Sequence, residues 1–299
     1  MSLRDAARTG YRLLPRPVAA ALRDARHPLA WRDRRKRRAA LLPFLSTVGA
    51  YCGGFRGKRV LEVGSDGEGL LIQEIQSRFG AAEVIGVNPA FLPAAFGASC
   101  RLEAVDVRRT PYPDDWFDLI ASSSAFEHIH ELDRALLEMH RILRPGGHLY
   151  SHFGPIWSTS YGHHLWVNHR GRLFNYWNTN LPPYCHLLMT RDSLAEHCCR
   201  TLEAGAAEVI AAYVFSSTEQ NRLMYADYVR CFRESPFEVC FLKGYDHPEL
   251  AARHLSDRMD VLLDRLRRQY PDAGDFLYDG ITVLLRKRGG AEAPAEVSR

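Results

Sequence analysis

The chain has 299 residues, of which 46% are hydrophobic and 25% charged, and its formal net charge is +4. This balance is typical of a globular protein with a sizeable core and excludes a disordered or fibrous chain. No apolar run approaches the roughly 18 residues of a membrane-spanning helix, and no signal peptide is recognisable at the start, so we expect a cytoplasmic protein.

Residues 1–45 are predicted to form a basic helical arm that Pro15, Pro17 and Pro28 divide into pieces. Residues 1–38 hold twelve Lys or Arg and three Asp, a net charge of +9 that leaves −5 for the rest of the chain. Such an arm suits peripheral contact with an anionic membrane surface, and a solvated arm without a partner is the alternative. The acidic remainder argues against nucleic acid as a partner.

The segment after the arm predicts a strand over 59–63, a glycine-rich turn over 64–69, a helix over 70–80 and a strand over 83–88. Glycines let the turn bend sharply and let a ligand approach the backbone. The helix start behind the turn offers N–H groups without intrahelical partners. This order predicts a nucleotide-type cofactor site at the carboxyl edge of a parallel sheet.

The rest of the chain continues the alternation of strands and helices. Further strands are predicted at 101–106, 117–122, 147–153, 237–245 and 279–288. Further helices are predicted at 131–143, 191–203, 222–234 and 248–269. Alternation of this kind indicates an α/β fold with a mostly parallel sheet. We expect one domain over 46–288, followed by a small, polar and disordered tail over 289–299.

An aromatic and amide-rich segment interrupts this pattern at 154–190, within a predicted lid insertion at about 154–220. Long irregular segments inside compact domains usually form lids or binding loops. Flat aromatic faces beside amide groups suit sugar rings or polar aromatic natural products. A small satellite core with solvated amides is the alternative.

Four stretches in this order resemble the class I S-adenosylmethionine-dependent methyltransferases. They are VLEVGSDGEG (60–69), IGVNP (85–89), DVRR (106–109) with FDLIASSSAFEHI (117–129), and LRPGGHLY (143–150). The resemblance implies a Rossmann-like sheet, mostly parallel with an antiparallel last strand, and a lid inserted after the fifth strand. It also implies S-adenosylmethionine as cofactor and S-adenosylhomocysteine as product.

Carried over by position, the resemblance implies a cofactor site of ten residues. Glu62 is expected to hold the amino acid end, Asn88 the ribose hydroxyls, and Asp106 with Val107 the adenine. The turn beneath the cofactor comprises Gly64, Ser65, Gly67 and Gly69, and the cofactor's methionine part faces Ser122 and Ser123.

Two positions depart from the family pattern. Asn88 stands where the family usually has Asp or Glu, so its ribose hydrogen bonds lack the added strength of a charge. The glycine spacing is GxxGxG, one position away from the usual pattern. A nicotinamide site fits less well, because GxGxxG is absent and no acid ends the second strand.

The acceptor is predicted to be a hydroxyl of a sugar or glycan, whose proton must leave as the new bond forms. His163 or His164 in the lid is the predicted general base, since histidine titrates near neutral pH. The alternative for each is a structural lid histidine. A divalent metal activating the acceptor is a further alternative that is not predicted, and no metal ligands are assigned.

Two other functions remain open at this stage. The first is methyl transfer to a phenol or amine of a secondary metabolite. The second is a catalytically silent cofactor-binding domain that docks on nucleic acid or membrane through residues 1–38. The sequence does not indicate an oligomeric state.

Overall fold

The computed structural model describes residues 28–246 and 259–289. Most of the predicted basic arm, the start of the predicted helix at 248–269 and nearly all of the predicted tail lie outside the described residues. Within these residues, none of the helices combines the length and apolar character that crossing a bilayer requires.

The described residues form ten strands and eight α-helices, with one 3-10 turn at Phe126–His128. The strands are β1 (Arg59–Val63), β2 (Glu83–Val87), β3 (Ala94–Gly97), β4 (Cys100–Glu103), β5 (Phe117–Ser123), β6 (Leu143–Phe153), β7 (Trp166–His169), β8 (Arg172–Asn175), β9 (Glu238–Tyr245) and β10 (Gly280–Arg286). The helices are α1 (Pro28–Cys52), α2 (Leu70–Phe79), α3 (Leu132–Ile142), α4 (Cys185–Leu188), α5 (Arg191–Cys199), α6 (Ala204–Ser216), α7 (Tyr225–Glu234) and α8 (Met259–Gln269).

Eight of these strands form one sheet in the order β3-β4-β2-β1-β5-β6-β10-β9. β1 pairs with β2 and β2 with β4 in parallel, whereas β10 pairs with β9 antiparallel. The order reverses beside β1, so the carboxyl end of β1 lies at a topological switch point, where open α/β sheets bind ligands. The predicted Rossmann-like fold, with its antiparallel last strand, is confirmed.

Two compact units divide the chain. Among the described residues, the first unit holds 28–121 together with Ile142–His148, and the second holds Ser122–Arg141, 149–246 and 259–289.

In the first unit, β1 and β2 are buried apolar strands, as a sheet covered on both faces requires. α2 ends at Gly80, whose positive φ of 70° suits a glycine C-cap. α1 continues past residue 45, where the sequence placed the end of the arm, and it buries Leu45 and Val48 completely.

The edge of this unit differs from the sequence prediction. The strand predicted at 101–106 ends earlier, at Glu103, so Asp106 lies in the following loop. The hairpin partner β3 was not predicted, because Ala94–Gly97 is short and half exposed, without the alternation that marks a strand. Similarly, β6 begins at Leu143 rather than at 147, directly after α3.

The second unit contains a satellite core formed by residues of the predicted lid insertion itself. Phe174 of β8, Leu165 and Cys185 pack with the buried faces of α5 and α6. The helix predicted at 191–203 starts where it was expected but ends earlier, at Cys199. The next helix, α6, was not predicted. α6 lacks an amphipathic pattern because alanines fill most of its buried positions.

Candidate active site

The turn after β1 carries a buried carboxyl group. Glu62 is 5% exposed, and burial raises its pKa to about 8. Its Oε2 atom makes no hydrogen bond of normal geometry, and neither does the Oγ atom of the neighbouring Ser65, although Ser65 is close enough to lower the pKa of Glu62 against the larger effect of burial. Because buried polar atoms are almost always paired in folded proteins, these two atoms mark a place built for a polar ligand.

The glycines of the turn are required for two different reasons. Gly64 has a φ of 89° and donates its N–H to the Val87 carbonyl at 3.0 Å, which joins the turn to β2. A Cβ at Gly67 would lie 2.9 Å from the ring of Phe91, and a Cβ at Gly69 2.5 Å from the ring of Phe96. Ring packing thus explains Gly67 and Gly69, and their contact with a cofactor stays a prediction.

Asn88 fixes the end of β2 to the turn. Its Nδ2 donates to the Ser65 carbonyl at 3.0 Å, and its Oδ1 accepts from the Ala90 N–H at 3.0 Å. Gly86, two residues earlier within β2, leaves room for Ser65, because a Cβ there would lie 2.5 Å from the Ser65 Oγ. The amide is therefore held in place before any ligand binds.

Acidic residues surround the turn, and basic residues of α1 pair with them. Asp66 Oδ1 accepts from the backbone N–H of Glu68 at 2.8 Å and so organises the start of α2. Arg37 approaches Asp66 at 3.4 Å and Glu68 at 3.6 Å, and Arg38 approaches Glu74 at 3.4 Å. Arg37 and Arg38, which belong to the basic cluster predicted to contact an external anionic surface, therefore form ion pairs within the first unit.

The two residues predicted to flank the adenine, Asp106 and Val107, lie in the loop after β4. Val107 is buried, and the Asp106 carboxylate accepts from Arg108 Nη2 at 2.6 Å. Glu62, Ser65 and Asn88 gather at the glycine turn of the first unit. Ser122 and Ser123 end β5 in the second unit, which also holds both predicted histidines.

The first-unit residues fit the amino acid end of the proposed cofactor. A buried carboxylate with an unpartnered oxygen suits an ammonium group, because a charge-assisted hydrogen bond would satisfy it. The Ser65 hydroxyl supplies a second unpartnered atom nearby in the chain. This fit rests on the donor and acceptor chemistry of the side chains present.

The second unit holds a cluster of buried polar side chains that the sequence only partly predicted. Glu127 is 2% exposed, and its Oε1 accepts from the Gly154 N–H at 3.2 Å. The further atoms of this unit that are buried without a hydrogen-bond partner include His164 Nε2, His186 Nδ1 and Gln220 Oε1.

The two predicted base residues occupy different surroundings in this cluster. His163 Nδ1 accepts the Leu165 N–H at 3.1 Å, a local turn contact, and burial lowers the pKa of His163 well below its usual value. His164 has a φ of 46° and stacks on Tyr176 with ring centroids 6.0 Å apart. Burial, and then the charge of His128, lower the pKa of His164 to about 3. Both histidines are neutral at pH 7, and both are weak bases.

The segment 218–221 clamps the turn that carries Glu127. Asn221 Nδ2 donates to the carbonyls of Phe126 and Ile129 at 2.8 and 3.0 Å, and its N–H donates to the Glu127 carbonyl at 2.9 Å. His128 Nδ1 lies 2.8 Å from the Glu219 carbonyl. Sequence reasoning treated Glu127 as an acid at a helix start, and the flanking apolar residues in FEHI were the signal of its burial.

Within the described residues, no group of three or more His, Cys, Asp or Glu side chains is placed to hold a metal ion.

The chain is similar to known methyltransferases over the segment that contains the glycine turn. Residues 61–151 match the family described as "Methyltransferase domain". The chain is 36% identical over 100 residues to a demethylmenaquinone methyltransferase of Deinococcus radiodurans, covering 31% of this chain and 41% of the relative. It is 34% identical over 106 residues to a malonyl-[acyl-carrier protein] O-methyltransferase of Halorhodospira halophila, covering 33% of this chain and 36% of the relative.

A solved S-adenosylmethionine-dependent methyltransferase of Mesorhizobium loti aligns over 83% of this chain and 97% of its own, with 16% identity and a TM-score of 0.46. The matched segment spans about two fifths of the length of the Deinococcus radiodurans and Halorhodospira halophila relatives.

Proposed function

We propose that this chain is a class I S-adenosylmethionine-dependent methyltransferase and that it methylates a hydroxyl group of a sugar or glycan. The observation that carries the methyl-transfer part is the buried, unpartnered Oε2 of Glu62 beside the glycine turn. A structural carboxylate at this depth would be fully paired, because an unpaired one destabilises the fold.

Each residue of the turn has a task in this proposal. S-adenosylmethionine supplies an electrophilic methyl group on a sulfonium sulfur. Glu62 binds its ammonium group, and Ser65 adds a hydroxyl contact. Asn88, already oriented by its two backbone hydrogen bonds, offers polar atoms to the ribose hydroxyls.

The adenine and methionine contacts follow from position in the sequence. Asp106 and Val107 flank the adenine, with Val107 supplying an apolar surface and Asp106 held by Arg108. Ser122 and Ser123 accompany the methionine part. Gly64, Gly67 and Gly69 shape the turn that these contacts share.

The choice of a glycan acceptor rests on the hairpin β7–β8 and the turn after it. Trp166 is 55% exposed and Trp177 39% exposed, although Phe174 of the same segment is buried in the satellite core. Asn175 Oδ1 accepts the backbone N–H of Trp177 at 2.9 Å, so an amide side chain is held against the backbone that carries this indole. Exposed aromatic faces next to amides suit the faces and hydroxyls of a sugar.

The matched relatives favour a second candidate. By their names they act on demethylmenaquinone and on malonyl-[acyl-carrier protein], so an acceptor of either kind is the alternative to a glycan. The aromatic segment is equally compatible with a planar ring. Direct competition between acceptors separates the candidates.

The test offers purified chain the methyl-labelled cofactor with three acceptor panels: oligosaccharides with free hydroxyls, demethylmenaquinone, and malonyl-acyl-carrier protein. Mass spectrometry then identifies the methylated product. The proposal expects label on a sugar oxygen, and loss of labelling in Glu62→Gln. Label on demethylmenaquinone or on the malonyl group would overturn the glycan assignment, and failure to bind cofactor would overturn the enzyme.

A further inference from the structure

Glu127 is a buried carboxyl group with one oxygen committed and one oxygen without a partner. It lies in the 3-10 turn directly after β5, next to the fully buried Phe126. Oε1 accepts the Gly154 N–H, whereas Oε2 is buried and makes no hydrogen bond within the protein. An oxygen in this condition destabilises the free protein, so its retention points to a ligand.

The protein fixes the backbone that carries this carboxyl group. Asn221 bonds to the carbonyl oxygens of Phe126, Glu127 and Ile129, as described above. Asn221 Oδ1 in turn accepts from the Tyr228 hydroxyl at 2.8 Å. A network of this kind holds Glu127 in one orientation before the acceptor arrives, which is how a reacting group is best supported.

The titratable groups around Glu127 come from four segments of the second unit. The charge of Glu127 contributes to the raised pKa of three tyrosines, which are Tyr176, Tyr228 and Tyr245. His128 adjoins it in sequence, and the rings of His128 and His164 have centroids 5.2 Å apart. Burial raises the pKa of Glu127 to about 8, and no Lys or Arg charge lowers it.

We propose that Glu127 is the proton acceptor for the hydroxyl group that becomes methylated, an inference that rests on the proposed function. The acceptor oxygen forms its bond to the methyl carbon as the carbon–sulfur bond breaks, and the electron pair of that bond stays on sulfur. The hydroxyl proton moves to Glu127 Oε2 and reaches solvent when the product leaves. Charge and atoms balance without any further reactant.

Glu127 suits this task better than the histidines do. A general base is most effective when its pKa lies near the working pH. Glu127, with a pKa of about 8, meets this condition, whereas His164, with a pKa of about 3, is too weak a base. His164 then serves as a neutral hydrogen-bonding group for the acceptor. The earlier assignment of the base to His163 or His164 predicts a different pH profile, which makes the two assignments separable.

The experiment measures kcat/KM for the acceptor at saturating S-adenosylmethionine, so that the pH dependence of cofactor binding does not enter, from pH 6 to pH 9 in wild type, Glu127→Gln and the control Glu131→Gln. Glu131 is an exposed carboxylate of the same segment, 3.9 Å from Arg134, so its replacement removes an equal charge outside the cluster. In wild type, we expect kcat/KM to rise with pH and level off near pH 8. Glu127→Gln should lose about 10²-fold or more in kcat and lose this rise, while Glu131→Gln keeps both.

Difference infrared spectroscopy of the free protein gives a second readout that needs no turnover. The carbonyl band of a protonated carboxyl group should titrate near pH 8 and lose intensity in Glu127→Gln. Active wild type with a flat profile, or a Glu127→Gln variant that keeps the pH-dependent rise, would overturn the inference and leave the methyltransferase proposal standing. Wild type that transfers methyl groups to no hydroxyl would overturn both this inference and the glycan assignment.

Discussion

Replacing Glu62 by Gln should weaken cofactor binding and stabilise the free protein at the same time. The carboxylate is placed to bind an ammonium group, and a hydrogen bond to a charged group contributes about 1.5–3 kcal/mol. The variant should therefore bind S-adenosylhomocysteine roughly 10- to 100-fold more weakly at pH 8. The amide keeps the size of the side chain, so a packing defect does not account for the loss.

The raised pKa of Glu62 makes the binding depend on pH. In the free protein the carboxyl group is protonated below about pH 8, whereas the ammonium group prefers the carboxylate. Affinity should therefore rise with pH, by about 50-fold between pH 6 and pH 8 in wild type. Glu62→Gln should show no such rise.

The same shift predicts the sign of the stability change. Between the usual pKa of 4.5 and the folded value of about 8, the folded state binds a proton that the unfolded state has released. The contribution of Glu62 to stability therefore falls as pH rises through this window, by an amount on the order of 5 kcal/mol as an upper limit. Free Glu62→Gln should unfold at a higher temperature than wild type at pH 8, and the gain should vanish near pH 4.

Isothermal titration calorimetry and thermal unfolding at four pH values measure these effects. Glu68→Gln is the matched control, because Glu68 lies on the same turn but is 34% exposed in its side chain and pairs with Arg37. Its binding should keep the wild-type pH dependence. A Glu62→Gln variant that binds as tightly as wild type, with an unchanged pH slope, would refute the assignment of Glu62 to the ammonium group.

Three further predictions concern other parts of the molecule. His164→Ala should lower kcat/KM about tenfold, because one polar contact to the methyl acceptor is lost; an unchanged kcat/KM would reject this role. His163→Ala should mainly lower the unfolding temperature, because it removes the hydrogen-bond partner of the Leu165 N–H. Gly69→Ala should cost about 2 kcal/mol of stability in urea unfolding, because its φ is 61° and the added Cβ meets the ring of Phe96, and an unchanged midpoint would contradict the packing. Arg37→Gln should lower stability by less than about 1 kcal/mol, and a loss that persists in roughly 1 M salt would show that its ion pairs are not simple surface pairs.

The sequence predicts the architecture around β1 well, because the signals there are local. Buried strands read as apolar runs, and the glycines mark the turn. The same reasoning predicts a polar side chain at the end of β2, and Asn88 lies there. What the sequence could not give is the role of Phe91 and Phe96, since contacts of the turn with a distant loop leave no pattern in the turn itself.

The second unit was harder to predict, because its determinants are not local. α6 is an alanine-rich helix without an amphipathic stripe, so its sequence shows no helical period of apolar residues. The burial of Glu127 depends on Asn221, which is far away in sequence. A charged residue within an apolar stretch was the one local signal, and it fits a helix start equally well.

The most direct test of the central claim is a crystal structure of the chain grown with S-adenosylhomocysteine. The account predicts density for the ligand at the turn after β1, with its amino group in contact with Glu62 and its ribose near Asn88. Density for the ligand elsewhere, with the Glu62 carboxyl group still buried and unpartnered, would contradict it.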